Sequence, residues 1–97
     1  MSTKSKKMTQ EIKLAYYRKS DWDKLVNSAA DRQTLHESWE DWNKDYERTK
    51  RRLKHEGFVV HDMIIDIEKL NRYCTDRGVL NNGRSRSQYA SQLPLTQ

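Results

Sequence analysis

Cysteine, proline, glycine and long apolar runs are all scarce in this chain of 97 residues. Its single cysteine, Cys74, excludes an internal disulfide framework and a zinc cluster built from cysteines. No run of ~20 apolar residues could span a bilayer, and residues 1–30 hold no apolar run typical of a signal peptide. No Asn-x-Ser/Thr glycosylation acceptor occurs either. These absences predict a cytoplasmic protein that does not contact a membrane.

The sequence also lacks the motifs that carry most enzyme chemistry. It has no Gly-rich phosphate loop, no nucleophile elbow around a serine and no kinase signature. Nothing near Cys74 marks a base that could activate its thiol, so we expect a buried structural cysteine. The sequence therefore predicts no catalytic residue and no cofactor.

A metal site is considered at two places and expected at neither. His36-Glu37-Ser38-Trp39-Glu40 resembles a zincin helix with glutamate in place of the second histidine, but no further ligand has a recognisable spacing. His61, Asp62 and Asp66 cluster near an apolar run, yet helix capping explains Asp66 and a solvent-facing strand position explains Asp62. We predict no metal ligand.

Apolar residues make up only 34% of the chain, which limits the size of any core. The length predicts one small domain over residues 10–93, with a frayed end at 94–97. Residues 1–20 contain six Lys/Arg and one Glu, so the net charge of +5 is concentrated at the amino end. We interpret residues 1–9 as a disordered basic tail. Because so small a core gives little stability, a homodimer is a real option.

A long helix over residues 34–55 is the clearest predicted element. Thr34 and Glu37 form a capping-box start, and Gly57 follows the last apolar turn as a helix-ending glycine. One stripe follows the spacing 4, 3, 4, 3, 4 that is typical of a buried helix face. It consists of Leu35, Trp39, Trp42, Tyr46, Thr49 and Leu53.

The segment 58–65 fits a strand or a helical face, and its β-branched content after Gly57 favours a strand. Residues 11–18 alternate and could be its partner strand, but they fit a helical turn equally well. In that case the partner of 58–65 must come from a dimer or another protein. Flanking helices are predicted at 21–29, opened by Ser20 and Asp23, and at 66–77, capped by Asp66 and closed by Gly78. Ser85 or Ser87 would cap a last short helix through Leu93. The predicted fold class is α+β, with an all-α arrangement as the alternative.

The aromatic stripe supports two interpretations. Trp39, Trp42 and Tyr46 could form the core of the domain, or they could be partner-binding residues at a protein interface or a homodimer. We expect a small non-enzymatic regulator or inhibitor that binds another protein of unknown identity and self-associates.

Basic residues support an alternative function, an accessory module that binds nucleic acid. Phosphates are neutralised by clustered Lys/Arg, although no helix-turn-helix, zinc finger or RNP pattern is present. The predicted contacts fall in three groups. They are Lys4, Lys6 and Lys7; Arg48, Arg51, Arg52 and Lys54; and Arg77, Arg84 and Arg86. Convergence of these groups on one face would favour nucleic acid, and scattering would favour a protein partner.

Overall fold

A computed structural model describes residues 10–95. A two-stranded parallel sheet and four α-helices make up the regular structure of this range, so the α+β class predicted from the sequence is confirmed. Two short 3-10 turns, Lys19–Asp21 and Arg32–Thr34, join these elements. In chain order the elements are β1 (Glu11–Tyr16), α1 (Trp22–Ser28), α2 (Trp39–His55), β2 (Val59–Ile64), α3 (Ile67–Arg77) and α4 (Gly83–Gln92).

The two strands pair along their whole length. Glu11 lies opposite Val59 and Tyr16 lies opposite Ile64. The predicted strand at 58–65 is therefore confirmed to within one residue at each end, with the predicted partner. Because α1 and α2 carry the chain back between the strands, the pairing is parallel.

The sheet lies between α2 on one face and α4 on the other. Tyr16 points towards α2, and its ring lies 5.5 Å from that of Trp42 and 5.4 Å from that of Tyr46, centroid to centroid. Lys13 points the opposite way, and its ammonium donates to the carbonyl of Ser91 at 3.3 Å, near the end of α4. Odd and even residues of a strand point to opposite faces, so each face packs its own helix layer.

The core of the described chain is an aromatic cluster continued by aliphatic side chains. The ring of Trp42 lies 5.0 to 6.1 Å from five other aromatic rings. These belong to Tyr16, Tyr17, Trp22, Trp39 and Tyr46. The aliphatic part is fully buried and consists of Leu25, Met63, Ile65 and Leu70. Cys74 is also buried, as expected for a structural thiol.

Helix α2 begins later than the sequence predicted. Its cap is Ser38, whose hydroxyl accepts a hydrogen bond from the amide of Asp41 at 3.1 Å. The predicted cap, Thr34, instead donates its hydroxyl to the backbone carbonyl of Asp31 at 2.8 Å in a 3-10 turn. The prediction of a helix start at residue 34 was therefore wrong, because the hydroxyl of Thr34 is used within its own turn.

Two further predicted caps were also wrong. The helix expected from residue 21 begins at Trp22 after a 3-10 turn, and no side chain caps it, because Asp21 is held by Arg18 at 2.8 Å. Helix α4 is capped by Asn82, whose side-chain oxygen accepts from the amide of Ser85 at 3.0 Å. Asn82 precedes both predicted serine caps, and Ser85 and Ser87 lie inside the helix that it caps.

The other predicted helix ends are confirmed. Gly57 and Gly78 both have positive φ, 98° and 66°, immediately after α2 and α3. The carboxylate of Asp66 accepts from the amide of Lys69 at 3.1 Å and caps α3. The predicted tail, residues 1–9, and the last two residues of the predicted frayed end, 96–97, lie outside the described residues.

Candidate functional site

A groove of about 470 Å³ opens beside β1 and is lined by residues of β1, α2, α4 and the loop before α2. Leu14, on the face towards α2, and Ala15, on the face towards α4, both line it, so the groove follows the edge of the sheet. Its remaining lining is Tyr17; Asp31, Thr34, Leu35 and His36; Trp42, Asp45, Tyr46 and Thr49; and Gly83, Arg86 and Ser87.

The backbone of β1 presents unused hydrogen-bonding groups to this groove. The carbonyls of Gln10 and Tyr16 accept from the amides of Val59 and Ile65, at 2.9 and 3.0 Å. Since backbone direction alternates along a strand, even-numbered residues of β1 bond to β2 and odd-numbered ones point away from it. The N–H and C=O of Ala15 therefore point outward, and no other described residue bonds to them. Such an edge can pair with a further strand.

The two walls of the groove differ in size and polarity. On the α2 side the wall includes the rings of Trp42 and Tyr46 beside Leu14. On the α4 side it includes Gly83 and Ser87, which are small. Alternate side chains of a strand lying in the groove would therefore meet a bulky apolar wall and a small polar wall in turn.

An ion pair between the loop before α2 and helix α4 lines the groove. The two terminal guanidinium nitrogens of Arg86 lie 2.9 Å from the two carboxylate oxygens of Asp31, and only 5% of Arg86 is exposed. Arg86 also donates to the side-chain oxygen of Asn81 at 3.0 Å. The hydrogen bond from Arg86 lowers the pKa of the Asp31 carboxyl below its ordinary value of 3.8. This pair fixes the loop against α4.

His36 and Asp45 join the same loop to α2. The Nε2 atom of His36 lies 2.6 Å from Asp45, and this hydrogen bond lowers the pKa of the Asp45 carboxyl. The considered zincin-like pair of His36 and Glu40 does not form, because Glu40 lies 2.6 Å from Lys19 instead. Within residues 10–95, no three His, Cys, Asp or Glu side chains are grouped as metal ligands.

Asp62 belongs to a second polar cluster, on the face of the sheet towards α2. It accepts from the hydroxyl of Tyr46 and from the ammonium of Lys50, the latter at 2.8 Å. Burial opposes ionisation of Asp62, but these hydrogen bonds outweigh it and lower the pKa of its carboxyl. Burial, followed by the bond to Asp62, raises the pKa of Tyr46. Tyr46 and Lys50 of α2 are thus both hydrogen-bonded to Asp62 of β2.

The predicted partner-binding aromatics lie mostly inside the single chain. Trp42 and Tyr46 are 9% and 7% exposed. Trp39 is partly buried, and its indole N–H donates to the carbonyl of Tyr17 at 2.7 Å. The internal-core interpretation accounts for Trp42 and Tyr46, whereas their role at a partner interface stays a prediction.

The predicted nucleic-acid contacts do not all stay accessible. Arg86 was a wrong choice, because it is buried in the ion pair with Asp31. Arg77 stacks over the ring of Tyr73 at 4.6 Å, and Arg84 is exposed on α4. The α2 residues are Arg48, Arg51, Arg52 and Lys54, and all four are exposed. Lys4, Lys6 and Lys7 lie outside the described residues.

Sequence reasoning missed the groove itself. Asp31 and Arg86 are 55 residues apart, and no local spacing connects them. The side chain of Ala15 gives no hint of a binding role. The signal for an open backbone edge was the predicted strand pair, because a two-stranded sheet has two edges.

No known protein family matches this chain, and searches of curated proteins and of solved structures found no significant similarity to it. None of the helices described between residues 10 and 95 has both the length and the apolar character needed to cross a membrane.

Proposed function

We propose that this protein is a non-enzymatic binding module that takes up an extended segment of a partner protein in the groove beside β1. The observation that carries the proposal is the open edge at Ala15, which lines the groove together with residues of α2 and α4. A segment added there as a third strand would receive main-chain hydrogen bonds from β1. Capture of such a segment would let the protein act as a regulator or inhibitor of its partner.

The two walls define the kind of segment that fits. Side chains directed towards α2 meet Leu14, Trp42 and Tyr46, so alternate positions should be apolar. The intervening side chains meet Gly83 and Ser87 and should be small. The charged and titratable groups of the lining already have partners, since Arg86 bonds to Asp31 and His36 bonds to Asp45.

The test uses a displayed library of random 12-residue peptides selected on the full chain. Selected peptides should alternate apolar and small residues, and binding should protect the amide of Ala15 from hydrogen exchange. Ala15→Pro removes the outward N–H and should weaken binding by at least about tenfold, since one lost hydrogen bond and a steric clash act together.

Val60→Pro is the matched control. The backbone N–H of Val60 points away from β1, at the outer edge of β2. Val60→Pro therefore also removes an outward N–H, but from the edge of the sheet that does not face the groove. Ser87→Trp supplies an independent variant that fills the groove without changing either strand. Folded Ala15→Pro and Ser87→Trp variants that still bind the selected peptides would overturn the proposal. A concentration-dependent mass that Ala15→Pro abolishes would identify a second copy of the chain as the occupant.

A further inference from the structure

The outward face of α2 carries a row of basic side chains that reaches the carboxyl end of the helix. Lys44, Arg48, Arg51 and His55 are spaced four, three and four residues apart, so they lie on one helix face. Arg52 follows Arg48 by four residues and flanks this row. We call these five exposed side chains the basic stripe.

Most of the basic stripe has no acidic partner in the described chain. Two nearby carboxylates are used by other cations, since Glu40 pairs with Lys19 and Asp45 pairs with His36. Arg48 alone shares Asp45, at 2.7 Å. Asp41 and Glu47 lie on the same helix, but within residues 10–95 no carboxylate is within ion-pair distance of Lys44, Arg51 or Arg52. These three cations therefore form no direct ion pair in the described chain.

The basic residues between positions 48 and 54 do not all lie on one face of α2. Lys50 turns towards β2 and pairs with Asp62 at 2.8 Å. Lys54 lies four residues after Lys50 and therefore on the same flank. Lys54 is exposed but lies on this flank, so it is not counted in the basic stripe.

We propose that the basic stripe binds the phosphate backbone of nucleic acid, independently of the groove beside β1. Guanidinium groups match phosphate oxygens in two-point hydrogen bonds, and a row along one helix face suits a repeating line of phosphates. The stripe contains no apolar side chain that could anchor a protein interface or enter a membrane. Trp42 and Tyr46 lie on the opposite, buried face of α2, where they cannot stack on bases. Binding by the stripe is thus sequence-independent.

The experiment measures binding of a fluorescent 20-base-pair DNA duplex to the full chain at several salt concentrations. If the stripe neutralises about three phosphates, the logarithm of the association constant should fall linearly with the logarithm of the salt concentration, with a slope of about −3. Arg51→Glu combined with Arg52→Glu should weaken binding at least about tenfold at 0.1 M salt, since each lost phosphate contact contributes nearly one log unit there. Both side chains are exposed, so circular dichroism should be unchanged.

The matched control is Arg72→Glu combined with Arg84→Glu, two exposed arginines on α3 and α4. It changes the net charge by the same amount and should weaken binding by less than about threefold. Equal weakening by the two double variants would overturn the proposal, because only net charge would then matter. So would the absence of duplex binding at 50 mM salt, or displacement of the duplex by polyglutamate at an equal concentration of charge. If the glutamate pair fails to fold, Arg51→Gln with Arg52→Gln replaces it, and the same differences are required.

Discussion

The packing of α2 on the sheet and the attachment of α4 to the loop before α2 depend on different physical interactions. Towards α2, the contacts are aromatic, with Trp42 and Tyr46 packed against Tyr16. Beyond the carboxyl end of β1, helix α4 is fixed to the loop before α2 by Arg86 and Asp31, an ion pair with two nitrogen–oxygen contacts of 2.9 Å. We call the packing of Trp42 and Tyr46 against Tyr16 the aromatic anchor, and the ion pair of Arg86 with Asp31 the polar anchor. The aromatic anchor depends on buried apolar area, whereas the polar anchor depends on charge and on the direction of its hydrogen bonds.

The difference bears on what each anchor can do. Apolar packing is non-directional and is insensitive to pH, so it suits the bulk of the core. A two-point ion pair fixes orientation, and it is costly to break because the remaining charge stays buried. The polar anchor lines the groove, so the position of the loop contributes to the shape of the candidate site.

The largest effect is expected at the aromatic anchor. Trp42→Ala should lower the free energy of unfolding by about 4 kcal/mol, which is comparable to the whole stability of a domain of this size. Thermal melting followed by circular dichroism measures this loss, and Trp42→Phe, which keeps a ring, should lose much less. A folded Trp42→Ala variant with unchanged melting and an altered mass in sedimentation would assign Trp42 to an interface instead.

The polar anchor should respond to both substitution and pH. Asp31→Asn leaves Arg86 buried without a full counter-charge and should cost about 3 kcal/mol at neutral pH. The folded pKa of Asp31 is lowered, so its contribution is present above the ordinary value of 3.8 and is lost as the pH falls through the lower folded pKa. Melting curves of the two proteins should therefore converge in acid.

Asp76→Asn is the matched control for this prediction, because Asp76 is exposed on α3 and should change the melting temperature little at any pH. A stability difference between wild type and Asp31→Asn that stays constant from neutral pH into acid would contradict the electrostatic origin of the polar anchor.

The smallest effect concerns the start of α2, the helix that carries the aromatic anchor. Ser38→Ala removes the hydroxyl that accepts from the amide of Asp41 and should cost about 1 kcal/mol in urea unfolding. Glu37→Ala, which removes the glutamate of the predicted capping box, should cost close to nothing because Glu37 is exposed and makes no such bond. A larger loss of stability for Glu37→Ala than for Ser38→Ala would instead support the helix start at residue 34 that the sequence predicted.

Local patterns in the sequence determined the elements whose causes are local. The spacing of Trp42 and Tyr46 indicated the buried face of α2, and both side chains are buried. Asp66 and Gly78 indicated the two ends of α3, because a side-chain cap and a left-handed glycine act within one turn. The β-branched content of residues 58–65 favoured a strand, and the alternation of residues 11–18 allowed the strand partner that the fold contains.

Tertiary structure decided whatever depends on residues that are distant in the sequence. Only the fold brings Asp31 to Arg86, and only the fold leaves the outward backbone of Ala15 beside a groove. The same holds for charge, since burial removes Arg86 from the cations predicted to meet phosphate, and Asp62 draws Lys50 away from the basic stripe. A sequence pattern records which face of a helix is apolar, but packing between distant segments decides which polar groups satisfy each other and which remain free to bind.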